Sequence, residues 1–244
     1  MRKCILAALL LIVASVQAVW AQVVVLHKTN GQTIECDISE LDSITFEQGH
    51  EWVDLGLPSG TLWATCNVGA SSPEEYGDYF AWGETKDKTD YSWSTYKYCD
   101  ESAGKLTKYC THGDYGFVDG KTELDLEDDA ATANWGSEWQ TPSKAQWEEL
   151  LDKDNVTRTL TTRNDVNGYL FTSKSNGLSI FIPCAGARAG TSSSDVGSSA
   201  YYWSCSLHTD TTFYACYFCG SYVLNGERYC GMPVRPVRVR NTQP

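Results

Sequence analysis

Apolar and polar residues alternate in short runs along most of this chain, and turn-forming residues separate the runs. Residues 23–28 (VVVLHK) and 32–37 (QTIECD) are two such runs, and they flank the dipeptide Asn30-Gly31. Asn-Gly between β-rich runs is a strong signal for a hairpin. The pattern therefore predicts a β-hairpin, followed by a turn and a further short strand over residues 38–46. A unit of this size is too small to be stable by itself.

A helical period is clear only after the pair Thr141-Pro142. Thr can cap a helix, and Pro fits the first helical position because its missing N–H would be unpaired there anyway. Trp147, Leu150 and Leu151 follow at the spacing of one helix face, which makes them core candidates. The pattern predicts a helix that starts at this pair and ends near Asp154.

Strand-like runs fill most of the remaining sequence, and residues 125–134 allow one or two helical turns. Few helices, many short strands and long loops indicate an α+β domain whose surfaces are built from loops. The further strands predicted here are residues 61–65, 79–82, 169–172, 178–182, 214–219, 222–223 and 234–239.

The N-terminal segment has a different composition, with a positive start, an apolar run over residues 4–19 and small residues after it. These features are typical of a secretory signal peptide cleaved after Ala21, with Ala18 as an alternative site. The run is short for a membrane span, and no later stretch is long enough for one. We expect an exported protein, extracellular, on the cell surface or periplasmic. It would comprise a signal peptide (1–21), a small β-rich leader (22–48) and one larger domain (51–240).

Charge and cysteine content limit the functional classes. The formal net charge of −12 argues against nucleic acid as a partner, because phosphates require a basic face. Nine of the ten cysteines remain once Cys4 is removed with the signal peptide, so at least one thiol stays unpaired in this chain. Export permits disulfides, and Cys66 with Cys99 is the pair that we expect to form one.

Two groups of residues resemble metal ligands, but neither completes a known site. Cys216 and Cys219 have the spacing of a zinc knuckle, with Cys205 and Cys230 available to complete it, yet a second C-x-x-C is missing. The acids of residues 125–129 offer oxygen ligands for calcium, although solvated turns and helix N-terminal charge explain them better. We therefore expect no metal and no other cofactor.

Residues 205–232 concentrate aromatic, polar and cysteine residues between two rigid-looking ends, residues 201–204 and 234–237. Exposed tyrosines beside small polar residues resemble antibody paratopes, where Tyr supplies contact area at low entropic cost. Common catalytic motifs such as Gly-x-Ser-x-Gly, His-Glu-x-x-His and the P-loop are absent. Tyr201, Tyr202, Trp203, Arg235 and Pro236 are assigned to the frame. The candidate ligand-binding residues are Leu207, His208, Asp210, Thr212, Phe213, Tyr217, Tyr222, Leu224, Asn225, Glu227 and Tyr229.

Five phrases, in order along the chain, resemble the Fibrobacter-succinogenes major paralogous domain of secreted Bacteroidetes proteins. The resemblance covers about residues 51–238 and implies a C-type-lectin-like α+β fold whose last strands and loops form a ligand face. The phrases are residues 53–70 (VDLGLPSGTLWATCNVGA), 76–84 (YGDYFAWGE), 128–136 (DDAATANWG), 140–149 (QTPSKAQWEE) and the pair 202–204 (YWS) with 234–237 (VRPV).

The tail also resembles the variable segments of diversity-generating retroelements, which change template adenines to any base. An Asn codon varied in this way cannot become Glu, Gln, Lys, Met or Trp. Between Cys205 and Met232, only Glu227 and Met232 belong to that set. A strand-rich aromatic tail that is simply poor in Lys and Gln has the same composition, so both explanations stay open.

Residues 140–149 are also similar to a motif of formylglycine-generating enzymes, which use a closely spaced C-terminal cysteine pair. Here Leu224 stands near the place of the first cysteine, and only Cys230 follows. We therefore expect a non-enzymatic binding protein whose partner is a protein or glycan on another cell or surface. The alternatives are a structural cell-surface module without a specific ligand and, less favoured, an oxidase of the formylglycine-generating type.

Overall fold

The computed structural model describes residues 23–27, 33–37 and 50–239. The chain divides into two compact units, Met1–Gly49 and His50–Pro244. The predicted signal peptide and the predicted strand within residues 38–46 lie outside the described residues. Within the described residues, no helix is long and apolar enough to cross a membrane.

The first unit contains an antiparallel pair of strands, β1 (Val23–His27) and β2 (Thr33–Asp37). Val23 lies opposite Asp37, and His27 lies opposite Thr33. Both predicted strands of the hairpin are thereby confirmed. The predicted Asn-Gly turn between them lies outside the described residues.

The second unit is α+β, with many short strands and two α-helices among the described residues. Its elements are β3 (Trp52–Asp54), β4 (Thr61–Ala64), α1 (Ala130–Trp135), α2 (Lys144–Leu151), β5 (Val156–Arg163), β6 (Val166–Ser173), β7 (Ser179–Pro183), β8 (Ala187–Ala189), β9 (Ser192–Ser194), β10 (Tyr201–Leu207), β11 (Tyr214–Cys219), β12 (Tyr222–Glu227) and β13 (Val237–Val239). The sheets are antiparallel and have the orders β13-β4-β3, β5-β6-β7, β10-β11-β12 and β8-β9. A long segment of loops and single 3₁₀ turns separates β4 from α1.

Helix α2 begins later than the sequence predicts, because Ser143 and not Thr141 is its cap. The Ser143 Oγ accepts the backbone N–H of Gln146 at 3.2 Å, and the Gln146 Oε1 accepts the backbone N–H of Ser143 at 2.8 Å. This reciprocal pair satisfies the first turn and fixes the helix start. Thr141 instead donates its hydroxyl to Asp129. The helix also ends at Leu151, before the predicted Asp154.

The buried face of α2 packs against the reverse side of the β10-β11-β12 sheet. Trp147 is fully buried and stacks on Phe218, with ring centroids 4.5 Å apart and an interplanar angle of 12°. The Trp147 indole N–H donates to the Trp203 carbonyl at 3.2 Å. Leu150 is also fully buried, as predicted, whereas Leu151 is half-buried. One side of this sheet is therefore fixed in the core.

The two ends of the second unit lie in one sheet. Strand β13 pairs with β4, which places Val237 opposite Trp63. An isolated antiparallel β-bridge joins Phe80 to Met232, which precedes β13 in the chain. Residues 79–82 were predicted as a strand, but this bridge is their only ladder contact, so that prediction is wrong. The tail segment 205–232 is consequently tied at its C-terminal end to the beginning of the unit.

Other strand predictions had mixed outcomes. Strands β4, β7 and β11 confirm the runs predicted at 61–65, 178–182 and 214–219. Strand β5 was missed because its residues, VTRTLTTR, show neither an apolar run nor an alternation of apolar and polar positions. Most side chains of β5 are exposed, so the strand has no buried face that would impose an apolar pattern on its sequence.

The predicted Cys66–Cys99 disulfide does not form. Both residues carry free thiols. The Cys99 Sγ donates instead to the Trp93 carbonyl at 3.1 Å, within a compact turn, and the Cys66 Sγ lies 3.7 Å from the Thr65 hydroxyl. The local partners of the two thiols therefore replace the expected bridge.

Candidate ligand-binding face on the last sheet

The outer side of the β10-β11-β12 sheet, which points away from α2, carries Tyr201, Tyr217, Tyr222 and Leu224, here called the aromatic face. Trp203 lies on this side too and is buried in a second core cluster, against which Tyr201 and Tyr217 pack, so the open part of this side is the β12 edge. Tyr217 lies opposite Trp203 on β10 and opposite Leu224 on β12. Because neighbouring residues of a strand alternate sides, these side chains share one side of the sheet. Tyr222 is 68% exposed and Leu224 42% exposed. Tyr201 and Tyr217 are half-buried, with ring centroids 5.7 Å apart at 87°.

The turn from β11 to β12 is held against the neighbouring sheet. Gly220 has φ +53°, and a Cβ there would lie 2.7 Å from the Tyr169 hydroxyl. Only glycine meets both conditions without strain. The Arg158 guanidinium donates to the Gly220 carbonyl at 2.8 Å. These contacts fix the position of Tyr222, which follows the turn.

A second group of predicted residues gathers around Trp93, at the other end of the sheet. The ring of Trp93 lies 5.1 Å from that of Tyr229 and 6.4 Å from that of Phe213. The Tyr229 hydroxyl donates to the Glu227 carboxylate at 2.6 Å. Phe213, Glu227 and Tyr229 are all half-buried. Sequence reasoning gave no reason to expect Trp93 beside them.

The remaining predicted residues divide between surface and interior. Asp210 and Asn225 are exposed, and the half-buried His208 accepts the backbone N–H of Thr211 at 3.1 Å. Leu207 and Thr212 are buried and present no surface to a ligand. Strand β12 continues beyond the run predicted at 222–223 as far as Glu227, because the whole of this strand pairs in register with β11.

A buried arginine, Arg228, anchors the tail and was not singled out from the sequence. It is fully buried, and its Nε donates to the Tyr96 hydroxyl at 2.8 Å. Its terminal nitrogens donate to the backbone carbonyls of Lys108, Tyr109 and Thr212, each at 3.0 Å. No carboxylate pairs with it among the described residues. A lone arginine in an aromatic stretch, directly after Glu227, was the available sequence signal.

Behind this anchor, Asp128 is buried within a network of cations and hydroxyls. The Lys108 Nζ lies 2.6 Å from Asp128, and the Tyr109 hydroxyl donates to it at 2.7 Å. Burial alone would raise the pKa of Asp128, but these hydrogen bonds outweigh burial and hold the pKa at about 2. The Asp128 carboxylate therefore stays ionised and ties the Lys108–Tyr109 segment, which Arg228 also binds.

The acids considered for calcium surround an ammonium group. Carboxylate oxygens of Asp125, Glu127 and Asp128 lie within 4.8 Å of one another. The Lys108 Nζ is 2.6 Å from Asp125 and 3.3 Å from Glu127, so a lysine supplies the positive charge at their centre. Asp129 points elsewhere and caps α1 through the backbone N–H of Thr132.

The tail cysteines do not converge on one point. Cys216 and Cys219 are three residues apart on β11, so their side chains leave opposite sides of the strand. Cys216 is buried and Cys219 is half-buried. Burial, followed by the charge of Glu227, raises the pKa of Cys230 to about 11. All of the cysteines between residues 50 and 239 are free thiols.

Comparisons of the chain with protein-family models, with curated proteins and with solved structures found no match.

Replacing Arg228 with Met should destabilise the protein by about 3 kcal/mol or more, because several buried acceptors lose their donors at once. The free energy of unfolding, measured by urea denaturation, would show this. Lys105→Met is the control, since the side chains of Lys105 and of its partner Asp100 are both exposed, and it should cost about 1 kcal/mol or less. Equal losses in the two variants would contradict the anchoring role.

Asp128→Asn should remove a pH-dependent part of the stability. A carboxylate with a lowered pKa stabilises the fold above its unfolded pKa, and this contribution is lost as the pH falls through the folded value. The variant should be roughly 2 kcal/mol less stable near neutral pH, and the difference should shrink between about pH 4 and pH 2. Unfolding free energies across this range provide the measurement. A difference that stays constant down to pH 2 would refute the assignment.

Proposed function

We propose that this chain is an exported, non-enzymatic binding protein and that the aromatic face is its ligand surface. The observation that carries the proposal is the exposure of Tyr222 and Leu224, 68% and 42%, on a sheet whose reverse side is packed in the core. Tyr222 and Leu224 are two apart on β12 and so lie next to each other on one side, which makes them candidates for a small interaction surface. A rigid sheet also loses little freedom on binding, which favours affinity.

The fold that we propose is C-type-lectin-like. Three features support this proposal: the pairing of β13 with β4, the packing of α2 beneath the last sheet, and the long loop segment before α1. The resemblance of residues 51–238 to the major paralogous domain points in the same direction. Export, to the outside, the cell surface or the periplasm, rests on the composition of residues 1–21 alone.

A binding role accounts for the chemistry of the tail better than an oxidase does. The thiolate is the reactive form of cysteine, and a pKa of about 11 keeps the Cys230 thiol protonated at neutral pH. Leu224, near where the oxidase motif would want a partner cysteine, is an exposed strand residue. The other rival, a structural module without a ligand, gives no reason for an uncovered Tyr222.

Diversification of the tail is part of the proposal, and it predicts where variation falls. Comparing the end of this gene among isolates should show changes at exposed positions such as Tyr222, Leu224 and Asn225. Fully buried positions such as Phe218 and Arg228 should stay constant, because changes there would destabilise the frame. Changes should match the adenines of a nearby template. Variation spread evenly over buried and exposed codons, or an invariant tail without a template, would refute diversification.

Binding itself is tested on an array of bacterial polysaccharides, host glycans and purified surface proteins. Tyr222→Ala combined with Leu224→Ala should weaken any specific signal by about tenfold or more, because exposed anchor side chains dominate interface energies. Leu160→Ala is the matched control, since Leu160 is 64% exposed but lies on β5, away from the aromatic face. A signal that depends on Leu160 and not on Tyr222 would place the ligand surface elsewhere.

A further inference from the structure

A groove of about 400 Å³ opens between the end of α2, the first half of β5 and the β11–β12 turn. Its volume lies within the range of small-ligand pockets. It is separate from the aromatic face, although Ser221 on its rim directly precedes Tyr222 in the chain. The lining residues are Leu151, Lys153, Val156, Thr157, Arg158, Lys174 and Ser221.

The lining has three cationic side chains and no carboxylate, in a chain with a net charge of −12. Within residues 50–239, Lys153 and Lys174 have no acidic group within ion-pair distance, and both are exposed. Among the other lysines of residues 50–239, Lys86 also has no ion pair, and the rest pair with carboxylates: Lys88, Lys97, Lys105, Lys108, Lys121 and Lys144. Unpaired cations that converge on one concavity favour an anionic occupant.

Arg158 is the fixed member of this trio. One terminal nitrogen donates to the Gly220 carbonyl at 2.8 Å, and the guanidinium lies over the Tyr169 ring at 5.6 Å. Its other nitrogens have no protein partner in the described part of the chain. A guanidinium held in this way offers its free donors to a carboxylate or sulfate at little entropic cost.

The acids nearest in sequence do not line the groove. Asp152 accepts the backbone N–H of Asp154 at 2.8 Å and so closes the turn after α2. Glu149 accepts the hydroxyl and the backbone N–H of Ser59, on another flank of the helix. Asp154 is exposed beside Lys153 but lines no part of the cavity. The three cations are therefore the charges that face an occupant.

We propose that this groove binds an acidic polysaccharide through carboxylate or sulfate groups. The cations would bind the anionic groups, while Thr157 and Ser221 supply hydroxyls at the rim. The half-buried Leu151 provides apolar surface for the C–H side of a sugar ring, whereas Val156 is buried behind it. The inference stands on the lining of the groove and does not depend on the aromatic face binding anything.

Biolayer interferometry tests this with four immobilised polymers: polygalacturonate, dextran sulfate, neutral dextran and poly-L-glutamate. We expect the protein to bind at least one of the two acidic polysaccharides, with an affinity that falls at high salt, and to bind dextran and poly-L-glutamate much more weakly. The first two polymers distinguish carboxylate from sulfate as the recognised group. Absence of binding to both, or equal binding to poly-L-glutamate, would overturn the proposal.

Variants locate the site. Lys153→Glu combined with Lys174→Glu should weaken binding by about tenfold or more, because like charges then meet in the groove. Lys86→Glu combined with Lys105→Glu makes the same change in net charge at exposed positions outside the groove and should alter binding by about twofold or less. Equal losses in the two double variants would reveal attraction by net charge alone and overturn the assignment. Tyr222→Ala with Leu224→Ala keeps all three cations, so loss of binding in that variant alone would also overturn it.

Discussion

Two buried arginines, which have no carboxylate partner among the described residues, hold the last quarter of this chain in place. Arg228 binds three backbone carbonyls and the Tyr96 hydroxyl, and its guanidinium lies over the Trp82 ring at 4.8 Å. Arg235 donates to the Asn67 side chain and to the carbonyls of Ala64 and Phe181. A guanidinium cannot lose its proton in a protein, so its charge must be met by such acceptors. The acceptors belong to distant loops and strands. Each guanidinium therefore has its full set of hydrogen-bond acceptors only when several parts of the unit are assembled around the tail.

This arrangement separates stability from recognition within one sheet. The reverse side of the β10-β11-β12 sheet contributes Tyr202 and Phe218 to the core beneath α2, and the arginines fix the chain on both sides of Met232. The outer side contributes little buried area at Tyr222 and Leu224, so side chains there are free to change without disturbing the frame. A surface whose residues vary, or are selected for a ligand, must be able to change without loss of stability in the frame. This independence is confined to the β12 edge, because Ala215 lies on the same side as Tyr217 but is fully buried in a second core cluster.

The sequence was sufficient for features with a local cause. The strands at 61–64 and 214–219 follow from β-rich runs, and the burial of Trp147 and Leu150 follows from helical spacing. It failed where the cause is non-local. Strand β5 forms because it pairs with β6, although its own residues carry no pattern. The start of α2 depends on a choice between Thr141 and Ser143, and the carboxylate of Asp129 decides it by binding Thr141. The buried partners of Arg228 come from residues about 120 positions away, which no local reading reveals.

The Cys219–Tyr222 turn is where the two proposed surfaces meet. The Gly220 carbonyl accepts a hydrogen bond from the Arg158 guanidinium on the groove side. Tyr222, on the aromatic face, follows two residues later. Because Gly220 lies against the Tyr169 ring, the turn cannot shift without displacing the β5-β6 hairpin. A ligand that fills the groove would bind side chains that also fix this turn. Because these contacts hold the turn before any ligand binds, occupancy of the groove should leave the orientation of Tyr222 unchanged. The two surfaces are therefore expected to act independently although they share one turn.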